Sequence, residues 1–387
     1  IILLKMYDSI IKKIRKCLPT NVKKYAVHET SFPKKVLREI EKCIDSSYVS
    51  TSGEYLDKFT RELQEITNSK YVVLTSSGTA ALFCALEEIN ISGCEVIMPS
   101  MTFVATPNAV IHASGIPNFI DNSKYSLNIN AEILDKYLNE NTMQVKGSCI
   151  NKKSMRRIRC IIVVHAYGTA ANVTNICKVA KKHKIEVLED AAGALGSYEY
   201  NKHVGTISRM GALSFNGNKI ITTGMGGALL LKSKKDYERI SHKISTARLK
   251  HEWKVEHDMV GYNLRMANIN ATLGYCQITD FKKTLKIKRK LYNDYREIFY
   301  NDKYCYIKDE EPNTTNNNWV TNLYLRDSFK DKHQILIKRL HKSNILAREL
   351  WKPMHLLPMF KSMPRTRMKN SINNWKTGLS LPSSYYK

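Results

Sequence analysis

Between residues 71 and 190, short apolar runs alternate with helical patterns of about ten residues, and this alternation restricts the fold more than any other feature of the chain. Runs at 71–74, 95–98, 116–120, 159–164 and 185–189 read as strands. Between them, 79–89, a stretch from about 105, 131–139 and 173–183 carry the helical spacing. Parallel neighbours need such long crossovers, and strands apolar on both faces must be covered on both. The pattern predicts βαβ units in an α/β fold with a doubly covered, largely parallel sheet. Two further apolar runs at 211–215 and 227–231 also read as strands.

Outside this block, 7–18 forms a small amphipathic helix, and 1–25 reads as an N-terminal leader. A helix opened by 31–33 and reaching about 46 places Val36, Leu37, Ile40 and Ile44 on one face. Another spans 53–67. The large domain covers 26–265, with 143–157 as an excursion loop or hairpin and a helix at 234–245. One long helix across 267–300 connects to a smaller α+β domain at 301–387, which holds a helix near 333–343 and a strand near 345–350.

With 387 residues, 43% of them apolar, the chain can fill both faces of such a sheet and an added lobe. No apolar run approaches the roughly 18–20 residues of a membrane helix, so no membrane insertion is expected. Residues 1–4 are too few for a signal-peptide core. The net charge of +26 admits a nucleic-acid-binding reading. However, the basic residues are spread over the whole length, in short clusters such as 12–16, 152–159 and 282–290. There is no zinc-finger spacing, aromatic RNA-binding signature or helix-turn-helix. The expectation is a generic basic surface, suited to phosphate-bearing small molecules, with no nucleic acid partner. The nine cysteines include no C-x-x-C, and several lie in apolar segments. They fit reduced thiols in a cytoplasmic protein, with no metal site.

Ligands of open parallel α/β sheets sit beyond the carboxyl ends of the strands, so the strand-to-helix turns carry the chemistry. The turn TSSGTAAL at 75–82 lets a phosphate approach the first N–H groups of a helix, although alone it is equally an ordinary capped turn. In EDAAG at 189–193 the two carboxylates point to opposite faces, so one lines the site. A lone Asp at a strand end is more often a helix cap than a catalyst. In SFNGNKIITTGMGG at 214–227, Lys219 is the single charged residue between Arg209 and Lys232. A desolvated lysine has a lowered pKa and condenses with aldehydes. Phosphate cradle, buried acid and buried lysine together are what pyridoxal 5'-phosphate requires.

The run at 214–227, with EDAAGALGS at 189–197 and GYNLRMANINATLGYCQ at 261–277, resembles the DegT/DnrJ/StrS sugar aminotransferases, pyridoxal phosphate enzymes of fold type I. The likeness covers nearly the whole chain, including YVSTSG at 48–53, PSMTFVAT at 99–106 and WKPMH at 351–355. The segment CINKKSMRRI at 149–158 looks like that of a narrower clade, which makes 4-amino sugars for bacillosamine and legionaminic acid. The resemblance implies a mostly parallel seven-stranded sheet flanked by helices, with a smaller C-terminal α+β domain. It implies Lys219 as the Schiff-base lysine and Asp190 as the partner of the pyridine nitrogen. Phe103 would stack on the cofactor ring, and Gly78, Thr79 and Ser214 would bind its phosphate. Asn263 would reach the neighbour's phosphate, making a homodimer with shared active sites. Arg348 and His355 resemble positions near the sugar-nucleotide cleft. His165, at a strand end, either lines the site or is a satisfied strand-end histidine. Three places depart from the family: Gly193 replaces the usual Gln, Glu or His, Met225 replaces Glu or Gly, and 169–173 diverges.

The implied reaction is a ping-pong transamination. L-glutamate supplies the amino group, and the 4-keto carbon of a UDP- or GDP-linked 4-keto-6-deoxy (N-acetyl)hexosamine receives it, for amino-sugar, nonulosonate and surface-glycan biosynthesis. Related sugar dehydratases carry His in place of the lysine, so Lys219 favours transamination. The departures leave open a degenerate member that binds cofactor or sugar nucleotide without turnover.

Overall fold

Seven strands pair in the order Tyr71–Thr75, Gly227–Leu231, Met210–Ser214, Glu186–Asp190, Ile158–Val164, Glu95–Pro99 and Ile116–Ile120 in the computed structural model, which describes residues 2–384. Only Gly227–Leu231 runs antiparallel to its neighbours. Alternate side chains feed opposite cores, as period-two geometry dictates. Leu229, Leu231, Val96, Met98 and Ile162 pack under the helices Gly78–Ile89, Ala105–His112 and Lys234–Ile244. Ala228 and Leu230 face Phe59 and Leu63 of Glu54–Thr67, while Ile97, Ile161 and Val163 meet Leu134 and Ile176 of the helices Ala131–Asn141 and Val173–Lys182. The carboxyl ends at Thr75, Pro99, Val164, Asp190 and Ser214 therefore open along one edge, where the site is built.

The excursion is a hairpin of Thr142–Val145 with Ser148–Asn151. It is anchored at the amino end of Glu95–Pro99, the edge opposite the site. There the buried Glu95 carboxylate accepts from the Asn118 and Asn151 side-chain amides, each at 2.8 Å.

Four expectations are revised. The helix expected across 267–300 is two, Asn268–Ile278 and Phe281–Ile298. The chain turns at Thr279 and Asp280 so that Phe281 and Leu285 pack against Gly196, while Tyr295 and Phe299 enter the smaller lobe. The N-terminal helix Ile2–Cys17, expected as a segment of its own, packs into the smaller lobe. Met6, Tyr7, Ile10, Ile14 and Leu18 pack on Leu291, Tyr295, Leu336 and Leu340, and Lys13 pairs with Asp302 at 2.6 Å. Each buried aliphatic side chain there contributes about 1.5–3 kcal/mol. In Val36–Asp45 the inward face is Val36, Glu39 and Cys43, leaving Leu37 and Ile44 exposed. The helix is rotated because Glu39 accepts from Tyr55 Oη at 2.9 Å and from Lys42 at 3.1 Å. The strand expected at 345–350 shrinks to Arg348–Glu349, on the edge of an antiparallel sheet with Gly378–Ser380, Asn322–Leu325 and Cys305–Ile307. Among the described residues, every cysteine is unpaired and no helix is long and apolar enough to cross a membrane.

Candidate active site

The three turns meet around one cavity of about 360 Å³. Ser77 caps the helix Gly78–Ile89, its Oγ accepting from Ala80 N–H at 3.0 Å. Gly78 lies so close to the end of Met210–Ser214 that a Cβ there would stand 2.7 Å from Ser214 Cβ. The missing side chain brings Ser214 beside the free N–H groups of Gly78 and Thr79, which makes a cradle for an anion.

Asp190 ends its strand with both carboxylate oxygens held. Oδ2 accepts from Thr106 Oγ1 at 2.6 Å and Oδ1 from Ala192 N–H at 3.1 Å. Thr106 in turn shares a 2.7 Å hydrogen bond with Thr102. The neighbouring Glu189 points to the other face, as expected. Burial pushes its carboxyl pKa up, but His165 at 3.2 Å and the N–H groups of Ser208 and Gly205 outweigh that and hold it below the usual value.

Lys219 projects from a turn fixed on both sides. Its own N–H donates to Asn216 O at 2.9 Å, and Gln277 bonds both the N–H and the carbonyl of Thr222. Burial brings the lysine down to about 8, with the Asp190 carboxylate opposing the shift. Its Nζ stands 3.9 Å from the centroid of the Trp319 indole, and Trp319 Nε1 donates to Asn218 O at 2.7 Å. Among the described residues, no hydrogen bond occupies the Lys219 amine.

An aromatic wall completes the cavity. Phe103, half exposed, tilts toward Trp351 at 6.0 Å; Trp351 stacks on Tyr167 at 3.9 Å, and Tyr167 on Trp319 at 6.4 Å. Tyr167 has a φ of +56°, and its Oη accepts from Trp351 N–H at 2.7 Å.

Gly78, Thr79, Phe103, His165, Asp190, Ser214 and Lys219 thus line one cavity. His165 does so as a satisfied wall residue: its Nδ1 accepts from Ala171 N–H, leaving Nε2 to donate to Glu189. Arg348 and His355 stay outside, and Asn263, expected at a neighbouring chain's phosphate, lies on the surface of its own. Asn263 is exposed at a bridge with Ser245. Arg348 points to solvent from its edge strand, and it is Trp351, three residues on, that reaches the cavity. His355 is buried behind the wall, with Nδ1 2.6 Å from Ser100 Oγ; burial, with Arg365 nearby, lowers its pKa. The sequence offers no role for Thr102, Thr106 or Tyr167, and the Trp residues of the small lobe read as core, whereas Trp319 and Trp351 line the cavity. The four-residue spacing of the two threonines at a helix start could have signalled the first pair; the aromatics arrive from distant segments.

An unoccupied amine, an acid fixed by two donors and an anion cradle, flanked by aromatic rings, fit a phosphate-bearing pyridine aldehyde. The DegT/DnrJ/EryC1/StrS aminotransferase family profile matches residues 31–385. The chain belongs to this family. A GDP-perosamine synthase of Escherichia coli O157:H7 is 30% identical over 358 residues, covering 92% of each chain. The aminotransferase EpsN of Bacillus subtilis is 30% identical, covering 83% of this chain and 80% of its own. The structure of Helicobacter pylori PseC, an aminotransferase involved in the biosynthesis of pseudoaminic acid, superposes with a TM-score of 0.82 at 24% identity, covering 93% of this chain and 94% of its own. Like its family, the protein is an aminotransferase whose cofactor is pyridoxal 5'-phosphate. The α/β fold with a mostly parallel seven-stranded sheet is that of fold type I, as expected.

Proposed function

We propose that this aminotransferase moves an amino group from L-glutamate to the 4-keto carbon of a nucleotide-linked 4-keto-6-deoxy hexose or N-acetylhexosamine, carried by UDP or GDP, for surface-glycan or nonulosonate biosynthesis. The carrying observation is one cavity in which the free Lys219 amine and the fixed Asp190 carboxylate stand beside a helix N-terminus. The acceptor class is supported by relatives named GDP-perosamine synthase and UDP-4-amino-4,6-dideoxy-N-acetyl-beta-L-altrosamine transaminase, and by the DesI structure with its TDP-sugar product.

Bound in the cavity, the cofactor supplies an aldehyde that carries the amino group and a ring that withdraws electrons from the reacting carbon. In this reading Gly78, Thr79 and Ser214 hold its phosphate, and Phe103 covers its ring. Thr106 and Ala192 fix the Asp190 carboxylate, which would keep a proton on the cofactor's ring nitrogen. Lys219 would hold the aldehyde carbon, and its free Nζ would carry the proton to and from the substrate carbon. An amine near pH 8 can do both at physiological pH.

The active form is a homodimer. Leu37 (79% exposed), Val260 (84%) and Trp253 (76%) leave apolar surface that a second copy would cover. Asn263, three residues beyond Val260, would then meet the partner's phosphate cradle. The cytoplasm is the compartment that suits the unpaired thiols.

The test is a panel of UDP- and GDP-linked 4-keto sugars, offered with L-glutamate and read by mass spectrometry. One sugar should gain an amino group, and glutamate alone should change the visible absorption of the cofactor. No product across the panel, with an unchanged spectrum, would refute the reading in favour of a non-catalytic binding protein.

A further inference from the structure

Gly193 and Trp319 lie 126 positions apart in the numbering yet occupy one space. A Cβ on Gly193 would stand 2.5 Å from Trp319 Cε3 and 2.8 Å from Cζ3, distances that no real Cβ contact shows. The indole is not free to swing away. Its Nε1–H donates to Asn218 O at 2.7 Å, and its backbone N–H donates to Asn317 Oδ1 at 2.9 Å. Asn317 Nδ2 bonds the carbonyls of Gly193 and Leu195 at 2.8 and 2.9 Å, bolting the two segments together. The same constrained ring carries the Lys219 amine, 3.9 Å from its centroid.

We propose that Trp319 is the positioning residue for Lys219: its indole takes the space that a side chain at 193 would fill and seats the free amine on its face. The proposal deepens the functional reading, since it rests on Lys219 being the amine that receives the cofactor. An ammonium is drawn to the negative face of an indole, and the effect strengthens away from water. The same ring bonds the carbonyl of the preceding residue, so it fixes both the root and the tip of the lysine side chain. Gly193 is then the complement of the tryptophan rather than a lost contact. This accounts for the departure at 193 without loss of function. The other charged or titratable groups around the amine are Asp190 from its strand end, His28 from the N-terminal segment, and His165, whose ring is already bonded to Glu189 and Ala171.

The test pairs two substitutions of similar volume, Trp319→Phe, which keeps an aromatic face, and Trp319→Leu, which does not. In cofactor-free protein with its lysines carrying a ¹³C-methyl label, the Lys219 resonance should titrate with a midpoint about one pH unit lower in the Leu variant than in the Phe variant. Equal midpoints, or a higher one in the Leu variant, overturn the proposal. Separately, Gly193→Ala should weaken cofactor binding at least about tenfold in the wild-type background, and much less in the Trp319→Leu background, where the ring is gone. Additive losses, or a neutral Gly193→Ala, also overturn it. If Gly193→Ala does not fold, the Phe and Leu titrations decide alone. Peptide mapping of the attached cofactor separates the two levels. Attachment away from Lys219 sinks the functional reading, whereas attachment at Lys219 with indifferent Phe and Leu variants sinks only the role of Trp319.

Discussion

Replacing Gly78 with alanine sets two opposed effects against each other. Alanine is the better helix former, by up to about 1 kcal/mol in a helix interior and less at a first-turn position. Against this, the new Cβ would lie 2.7 Å from Ser214 Cβ, 3.1 Å from its Oγ and 3.3 Å from Leu213 O. Ser214 Cβ is fixed to the backbone of a central strand, so no rotamer relieves the clash. Helix and strand must separate by at least about 0.7 Å to reach ordinary contact, and such overpacking costs about 1–3 kcal/mol. The clash wins. The displaced parts are the N–H groups and hydroxyl of the proposed phosphate cradle. Losing one charge-assisted hydrogen bond, about 1.5–3 kcal/mol, raises the dissociation constant about 10- to 150-fold. The assay is titration of cofactor-free protein with pyridoxal 5'-phosphate, followed by visible absorbance, with circular dichroism to establish folding. A Gly78→Ala protein that binds as tightly as wild type would refute the cradle argument.

Thr106→Val keeps the shape of the side chain but leaves Asp190 Oδ2 without its donor; urea unfolding should register a loss of about 1.5–3 kcal/mol, with turnover falling and substrate KM little changed. Unchanged stability and turnover would mean that Thr106 does not hold the acid. The Lys219 midpoint near 8 lies below the ordinary lysine value of 10.5, so the folded protein loses this proton before the unfolded chain does. The contribution of this group to stability therefore rises with pH between about 8 and 10.5. In cofactor-free protein its reactivity toward an acylating reagent should rise about tenfold per pH unit up to about 8 and then level off; a rise continuing past pH 10 would contradict this. If the proposed dimer forms through this face, Val260→Asp, on the exposed apolar loop, should convert it to monomers in sedimentation and weaken cofactor binding. A dimer unaffected by the charge would place the interface elsewhere.

What the sequence could disclose follows from how local the cause is. The strands and crossovers are written in runs of a few residues, and each turn carries its chemistry within about eight positions, so the sheet and the placement of Asp190 and Lys219 were legible. The break at Thr279–Asp280 was not, because both halves have helical spacing and the turn is set by packing on Gly196. The rotation of Val36–Asp45 depends on Tyr55 reaching Glu39, a contact that periodicity cannot reveal. Trp319 and Trp351 enter the cavity from segments far along the chain, and Gly193 explains itself only once the indole beside it is known. The N-terminal helix read correctly as amphipathic, but the lobe that buries its apolar face lies at the other end of the chain.

The account turns on which amine meets the cofactor. Borohydride reduction of the loaded protein, digestion and mass spectrometry should find the added pyridoxyl mass on the peptide carrying Lys219, and no such adduct in Lys219→Ala. An adduct on another lysine, or an undiminished one in that variant, would contradict it.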